Sequence, residues 1–179
     1  MPVIHDEMID ILFSEDEIAL RNAEIAKDIA QIKTKNLLVL PILKGSFVFA
    51  ADLIRELYKN SVLLDVEFLT ISSYGSGQVS GAIHLLQDSD LDFKERDVLL
   101  VDDILESGNT LKFVHDLLYQ RGAKRVMTAV LLDKTMCRKA NIQADFVGFS
   151  CPNQFVVGYG MDDAHAYRQL PFVGVKHMS

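Results

Sequence analysis

The sequence predicts an α/β chain built as a doubly wound parallel sheet flanked by helices. Three observations carry this. Short apolar runs alternate with stretches of helical periodicity, the pattern of strand–helix–strand units in a parallel sheet. Several of these runs are apolar throughout, as expected of strands buried on both faces. The most informative run, Val98-Leu99-Leu100-Val101, ends in Asp102-Asp103 and passes through a small polar turn into the helical pattern Leu111, Val114, His115, Leu118. A strand that ends in acids and turns into a helix is the ligand-binding edge of an open α/β sheet.

The elements follow in order. Ser14-Glu15-Asp16-Glu17 is a capping box, and Ile18, Ala19, Ala23, Ile25, Ala26, Ile29 and Ala30 continue it as a first helix. Asn36 to Leu43 reads as a buried strand interrupted by Pro41, Lys44-Gly45-Ser46 as a turn, and Phe47 to Tyr58 as a helix with Ala50, Leu53, Ile54 and Leu57 on one face. Val62 to Ile71 reads as one strand. Ser72 to Gly81, with four serines and three glycines, reads as a loop, and Ile83 to Leu86 as a short strand. The strand from Asp97 to Asp103 is followed by the helix that stops at Arg121-Gly122. Val126 to Leu132, Ala144 to Ser150 and Phe155 to Tyr159 read as further strands.

At 179 residues and 49% hydrophobic, the chain is expected to form one domain, residues 1–179, with a substantial core. A net charge of -7 argues against a general nucleic-acid surface. The two cysteines, Cys137 and Cys151, have no metal-ligand spacing and are too few for a disulfide scaffold. The start of the sequence lacks a basic region followed by an apolar core. No apolar segment reaches the roughly 18 residues of a membrane span. The expected setting is the cytoplasm, with no membrane partner.

Five strand ends carry polar groups, and a doubly wound sheet brings them to one edge. Asp102 and Asp103 repel each other unless a cation or donor hydroxyls offset them. Mg²⁺ or a ribose diol would do so. Glu106-Ser107-Gly108-Asn109-Thr110 opens a helix: Gly108 admits close backbone approach, and the helix start offers free N–H groups to an anion. It lacks the Gly-Lys-Ser/Thr ending of a P-loop. Lys44-Gly45 opens another helix at the same edge, Lys134 follows the strand ending Leu131-Leu132-Asp133, and Asp162 and Arg168 follow the run Phe155 to Tyr159.

These residues, in this order, resemble type I phosphoribosyltransferases. Val101 to Thr110 is similar to the family's signature for binding phosphoribosyl pyrophosphate. Leu43-Lys44-Gly45-Ser46, Ser72-Ser73-Tyr74-Gly75, Leu132-Asp133-Lys134, Phe155-Val156-Val157-Gly158-Tyr159 and Arg168-Gln169-Leu170-Pro171 resemble the hypoxanthine (or hypoxanthine-guanine) branch. The resemblance implies a type I fold with a small hood from the chain ends, and a Mg²⁺-dependent purine salvage transferase. Its product would be IMP, and also GMP, with release of pyrophosphate. It implies that Asp102 and Asp103 hold the ribose and the metal, with Asp162 as a second metal contact. Ser107, Gly108, Asn109 and Thr110 would cradle the 5′-phosphate, and Lys44, Gly45 and Arg168 the pyrophosphate. Lys134 would donate to the purine 6-oxo group, Phe155 would stack on the ring and the Val156 backbone would meet the base edge. Glu106 would be the catalytic acid/base facing N7. Residues 72–81 would be a mobile lid entered by Ser73 and Tyr74, and the chain would form a dimer or tetramer.

Three positions depart from the family pattern. Glu106 stands where aspartate is usual, Asp102 where the branch often has glutamate, and Asp163 where some relatives have tyrosine. Three other readings compete. A nucleotide- and RNA-binding regulator on the same fold would want a basic stripe. A receiver domain would want its acid pair near the start of the chain. A dinucleotide oxidoreductase would want Gly-x-Gly-x-x-Gly after a strand.

Overall fold

The computed structural model describes residues 3–4, 7–73, 83–85 and 92–176. Its centre is a sheet formed by β3 (Leu37–Leu43), β4 (Leu64–Val66), β5 (Leu69–Ser73), β6 (Ile83–Leu85), β7 (Asp97–Leu105), β8 (Arg125–Asp133) and β9 (Phe146–Ser150). The strand order is β6-β5-β3-β7-β8-β9, with β4 also paired to β3, and every pairing is parallel except β5 with β6.

Strand residues alternate between two cores. Leu37, Val39, Leu99, Val101, Ala129 and Leu131 pack with α1 (Glu15–Gln31) and α2 (Phe47–Lys59). Leu38, Leu40, Val98, Leu100, Val126 and Val130 pack on the other face with Leu111, Val114 and Leu118 of α3 (Asn109–Gln120). Burial on both faces explains why these strands read as unbroken apolar runs. The capping box forms as expected: the Ser14 hydroxyl accepts the Glu17 N–H at 3.3 Å, and Glu17 accepts the Ser14 N–H at 2.8 Å.

Three strand expectations need correction. The run Val62 to Ile71 is two strands, because β3 changes partner along its length: Leu37 to Val39 pair with β4, and Ile42 and Leu43 with β5. Pro41, which has no N–H to donate, falls at that change of partner. Next, β7 continues to Leu105, two residues past the expected end at Asp103. Finally, Phe155 to Tyr159 contributes only β10 (Val156–Val157), because Gly158, Tyr159 and Gly160 all take positive φ (97°, 50° and 98°) and turn the chain.

The chain ends form the expected hood. Here β1 (Val3–Ile4), β2 (Glu7–Phe13), β11 (Val173–Lys176) and β10 make a second, antiparallel sheet. Ile9 and Val157 bury its inner face with Tyr167 and Leu170.

Candidate active site

The cleft opens where the winding reverses. The chain leaving β3 goes to β5 on one side, and the chain leaving β7 goes to β8 on the other. Two divergent crossovers leave a crevice at the carboxyl ends of these central strands. The crevice is a cleft of about 300 Å³, lined by Lys44 and Gly45 after β3 and by Asp102, Asp103 and Glu106 to Gly108 along the end of β7.

Asp102 and Asp103 are held by their own backbone. Asp102 Oδ1 accepts the Asp103 N–H at 3.0 Å, and Asp103 Oδ1 accepts the Ile104 N–H at 2.9 Å. Burial, and then the neighbouring Asp103 charge, push the Asp102 carboxyl well above the usual range. Burial raises Asp103 too, opposed by its hydrogen bonds and the Arg168 charge. A half-buried acid pair of this kind gains from a cation. Among the described residues no group of three or more His, Cys, Asp or Glu could cage a metal alone. Two carboxylates nevertheless suit Mg²⁺, which binds through one or two of them plus waters and substrate phosphates.

Gly45 lies against this pair. A Cβ at Gly45 would stand 1.8 Å from Asp103 Oδ2, so only glycine fits there. The backbone of Gly160 presses on Gly45 in turn, since a Cβ at Gly160 would stand 2.3 Å from the Gly45 carbonyl oxygen. Lys44 is exposed at the rim.

The Ser107–Thr110 turn is buttressed from below. Gly108 has φ 81° and precedes the first turn of α3, whose N–H groups have no acceptors within the helix. A Cβ on Gly108 would meet Ile142 at 2.8 Å and Arg138 at 3.1 Å. The Lys139 and Ala140 N–H groups both donate to the Ser107 carbonyl at 2.9 Å. Arg138 in turn pairs with Asp133 at the end of β8. Sequence reasoning missed this 138–142 support, because nothing in its local pattern points to residues some thirty positions earlier.

At the other end of the cleft, Lys134 is buried and its ammonium pairs with the half-exposed Glu106 carboxylate. These two residues, read separately from the sequence, are therefore direct partners across the ends of β7 and β8. Phe155 is 45% exposed, an aromatic face open to a ligand, while Val156 is buried in β10. Cys151, close behind, has its thiol pushed up by burial, and both cysteines are free.

Asp162 and Arg168 are engaged with each other. Asp162 binds Arg168 at 2.8 Å and the His165 N–H at 2.8 Å, and Arg168 also donates to the Gly160 carbonyl at 2.6 Å. Asp163 pairs with Lys176 of β11. Ser73 closes β5, where it pairs with Ile83. Tyr74 and the rest of the expected lid up to residue 81 lie outside the described residues. Among the described residues, no helix is long and apolar enough to cross a membrane.

Comparison with known proteins places this geometry. The phosphoribosyl transferase domain profile matches residues 8–164. The hypoxanthine phosphoribosyltransferase of Escherichia coli K12 is 41% identical over 93% of this chain and 94% of its own length. The bifunctional protein TilS/HprT of Listeria innocua is 40% identical over 96% of this chain, which spans only 26% of that longer protein. A solved structure of Trypanosoma cruzi hypoxanthine phosphoribosyl transferase, from work on its C-terminal region and oligomeric state, superposes with a TM-score of 0.91 at 36% identity, covering 98% of this chain and 95% of that one. With its acid pair, helix-opening turn and switch-point cleft, the chain belongs to the phosphoribosyltransferase family, in the hypoxanthine phosphoribosyltransferase branch.

Proposed function

We propose that the protein transfers a phosphoribosyl group from phosphoribosyl pyrophosphate to hypoxanthine, and also to guanine, in a Mg²⁺-dependent reaction that releases pyrophosphate. One observation carries the reading: a single sheet edge joins the Asp102/Asp103 pair, the Ser107–Thr110 turn and the Glu106–Lys134 pair.

The residues divide the work by position. The Ser107, Gly108, Asn109 and Thr110 turn binds the 5′-phosphate with helix-start N–H groups. Asp102 and Asp103 hold the ribose hydroxyls and, with Asp162, would hold Mg²⁺. Bound Mg²⁺ neutralises and orients the leaving pyrophosphate. Lys44, Gly45 and Arg168 receive that pyrophosphate. Lys134 donates to the 6-oxo oxygen, which adenine lacks. Phe155 stacks on the ring and the Val156 backbone meets its edge. As N9 of the base bonds to C1 of the ribose, the C1–pyrophosphate bond breaks and Glu106 takes the proton from N7. The ribose passes through an oxocarbenium-like transition state, so positioning and charge do most of the catalysis. Such a species must be kept from water. That is the role assigned to 72–81 as a lid, with Ser73 and Tyr74 at its entry. A homo-oligomer in the cytoplasm, acting on small molecules and not on nucleic acid, completes the reading.

The test offers hypoxanthine, guanine, xanthine and adenine separately, with phosphoribosyl pyrophosphate, with and without Mg²⁺. Turnover of the first two only, lost in EDTA, is the expected result. Turnover of adenine would overturn the role of Lys134. Near-full kcat at all pH values in Glu106→Gln would remove Glu106 as the proton acceptor.

A further inference from the structure

Tyr159 has no place in the reaction just described, yet it fastens the hood to the helices through its hydroxyl. It is 5% exposed, and its hydroxyl lies between two helices. The Asn22 amide of α1 donates to that hydroxyl at 2.8 Å, and the hydroxyl donates to the Asp52 carboxylate of α2. Asn22 itself is 1% exposed. Burial, and then the Asp52 hydrogen bond, push the phenol far above its ordinary value, so it stays an O–H donor.

The backbone at Tyr159 explains why a fastening is needed. Its φ of 50° sits between two glycines of positive φ, a conformation an L side chain adopts only when its surroundings hold it there. The Tyr159 N–H donates to the Leu170 carbonyl at 2.8 Å, and the Gly160 N–H to the Arg168 carbonyl at 3.0 Å. The Arg168 guanidinium returns to the Gly160 carbonyl, and Gly160 presses on Gly45. A displacement of the tyrosine ring is therefore passed to Gly45 and Arg168, both assigned to the pyrophosphate.

We infer that Asn22, Tyr159 and Asp52 form a positioning network that sets the pyrophosphate half of the site, Tyr159 acting through Gly160 on Gly45 and Arg168. The inference rests on the transferase reading above for the identity of the ligand. None of the three touches the reacting atoms. Lys134, Glu106 and Phe155 at the base end are not part of this chain of contacts, so the network biases one half of the site and spares the other.

The test uses Tyr159→Phe and Asp52→Asn in the full chain, with Mg²⁺ present. It reads KM for phosphoribosyl pyrophosphate, KM for hypoxanthine, kcat, thermal unfolding, and the Kd of inorganic pyrophosphate by calorimetry. Loss of one or two hydrogen bonds should weaken both pyrophosphate-bearing ligands by about tenfold, with the KM for hypoxanthine within about twofold. Unfolding temperature alone does not decide, since a purely structural bond would lower it too. Pyrophosphate Kd and both KM values within twofold of the unmodified protein would overturn the network, as would equal weakening of both substrates. Asp52→Asn, at a half-buried surface position, keeps the test open if the tyrosine variant fails to fold. An unmodified protein that turned over no purine would sink the transferase reading alone, and the pyrophosphate Kd would still decide the network.

Discussion

Replacing Gly45 by alanine tests whether the floor of the cleft is as closed as it looks. The new methyl would stand 1.8 Å from Asp103 Oδ2 and 2.6 Å from its Cγ, far inside van der Waals contact. Gly45 is not among the glycines of positive φ, so the backbone itself tolerates alanine and the whole conflict is steric. The side chain of Asp103 is short, so it cannot swing its tip aside while keeping its stem in place. It must rotate about Cα–Cβ and give up the bond from the Ile104 N–H. Overpacking of this kind costs about 1–3 kcal/mol. If that cost falls on the carboxylate proposed to hold the ribose and the metal, kcat/KM drops by about 5- to 150-fold, at 1.4 kcal/mol per tenfold. The assay is steady-state kinetics at saturating hypoxanthine, with thermal unfolding measured in parallel. Activity within twofold of the unmodified protein would refute the reasoning. So would a large fall in unfolding temperature with full activity per folded molecule, which would mean the clash is absorbed elsewhere.

Three further predictions follow from buried charge and exposed surface. Asp102 titrates higher folded than unfolded because of burial and the Asp103 charge, so ionising it costs stability that grows as pH rises through the folded value. In EDTA, Asp102→Asn should therefore raise the unfolding temperature more at pH 8 than at pH 5 while abolishing turnover; an equal shift at both would contradict this. Asp97 behaves oppositely: burial alone would raise it, but the Arg125 and Lys35 hydrogen bonds and nearby cations hold it below its usual value, so its stabilisation is present above the unfolded value and lost as pH falls through the folded one. Asp97→Asn should cost about 2 kcal/mol at pH 7 in urea unfolding and nothing measurable near pH 2, and a constant deficit would count against it. Phe155→Ala should raise the KM for hypoxanthine by roughly 5- to 150-fold, from about 1–3 kcal/mol of lost stacking, with little change in stability because the ring is 45% exposed; a large loss of stability with unchanged KM would return Phe155 to the core.

The legible and illegible parts of this chain differ in range. The apolar run before Asp102, the capping box at Ser14 and the helix stop at Gly122 are local patterns, and the structure carries all three. The location of the cleft followed from topology, since alternating strands and helices oblige the strand ends to share an edge. What escaped was long-range. The split of Val62 to Ile71 depends on where β3 changes partner. The pairing of Glu106 with Lys134 joins residues 28 positions apart, and that of Tyr159 with Asp52 joins residues 107 apart. Asp162 entered as a metal contact through the family resemblance, and its ion pair with Arg168 could not be seen in sequence. The turn at Gly158 to Gly160 looked like strand because Val156, Val157 and Tyr159 are strand-favouring types, and the two glycines outweigh them.

The backbone bonds beneath the Ser107–Thr110 turn also act as a ruler. The Lys134 N–H donates to the Leu105 carbonyl at 3.0 Å, and Lys139 and Ala140 hold the Ser107 carbonyl from the same segment. The loop proposed to read the purine and the loop proposed to grip the phosphate are thus bonded into one piece, which holds their spacing fixed. A molecule one methylene longer between base and phosphate would have to give up one anchor to keep the other. In the proposed reaction, the chain measures the length of its product before any side chain inspects its chemistry.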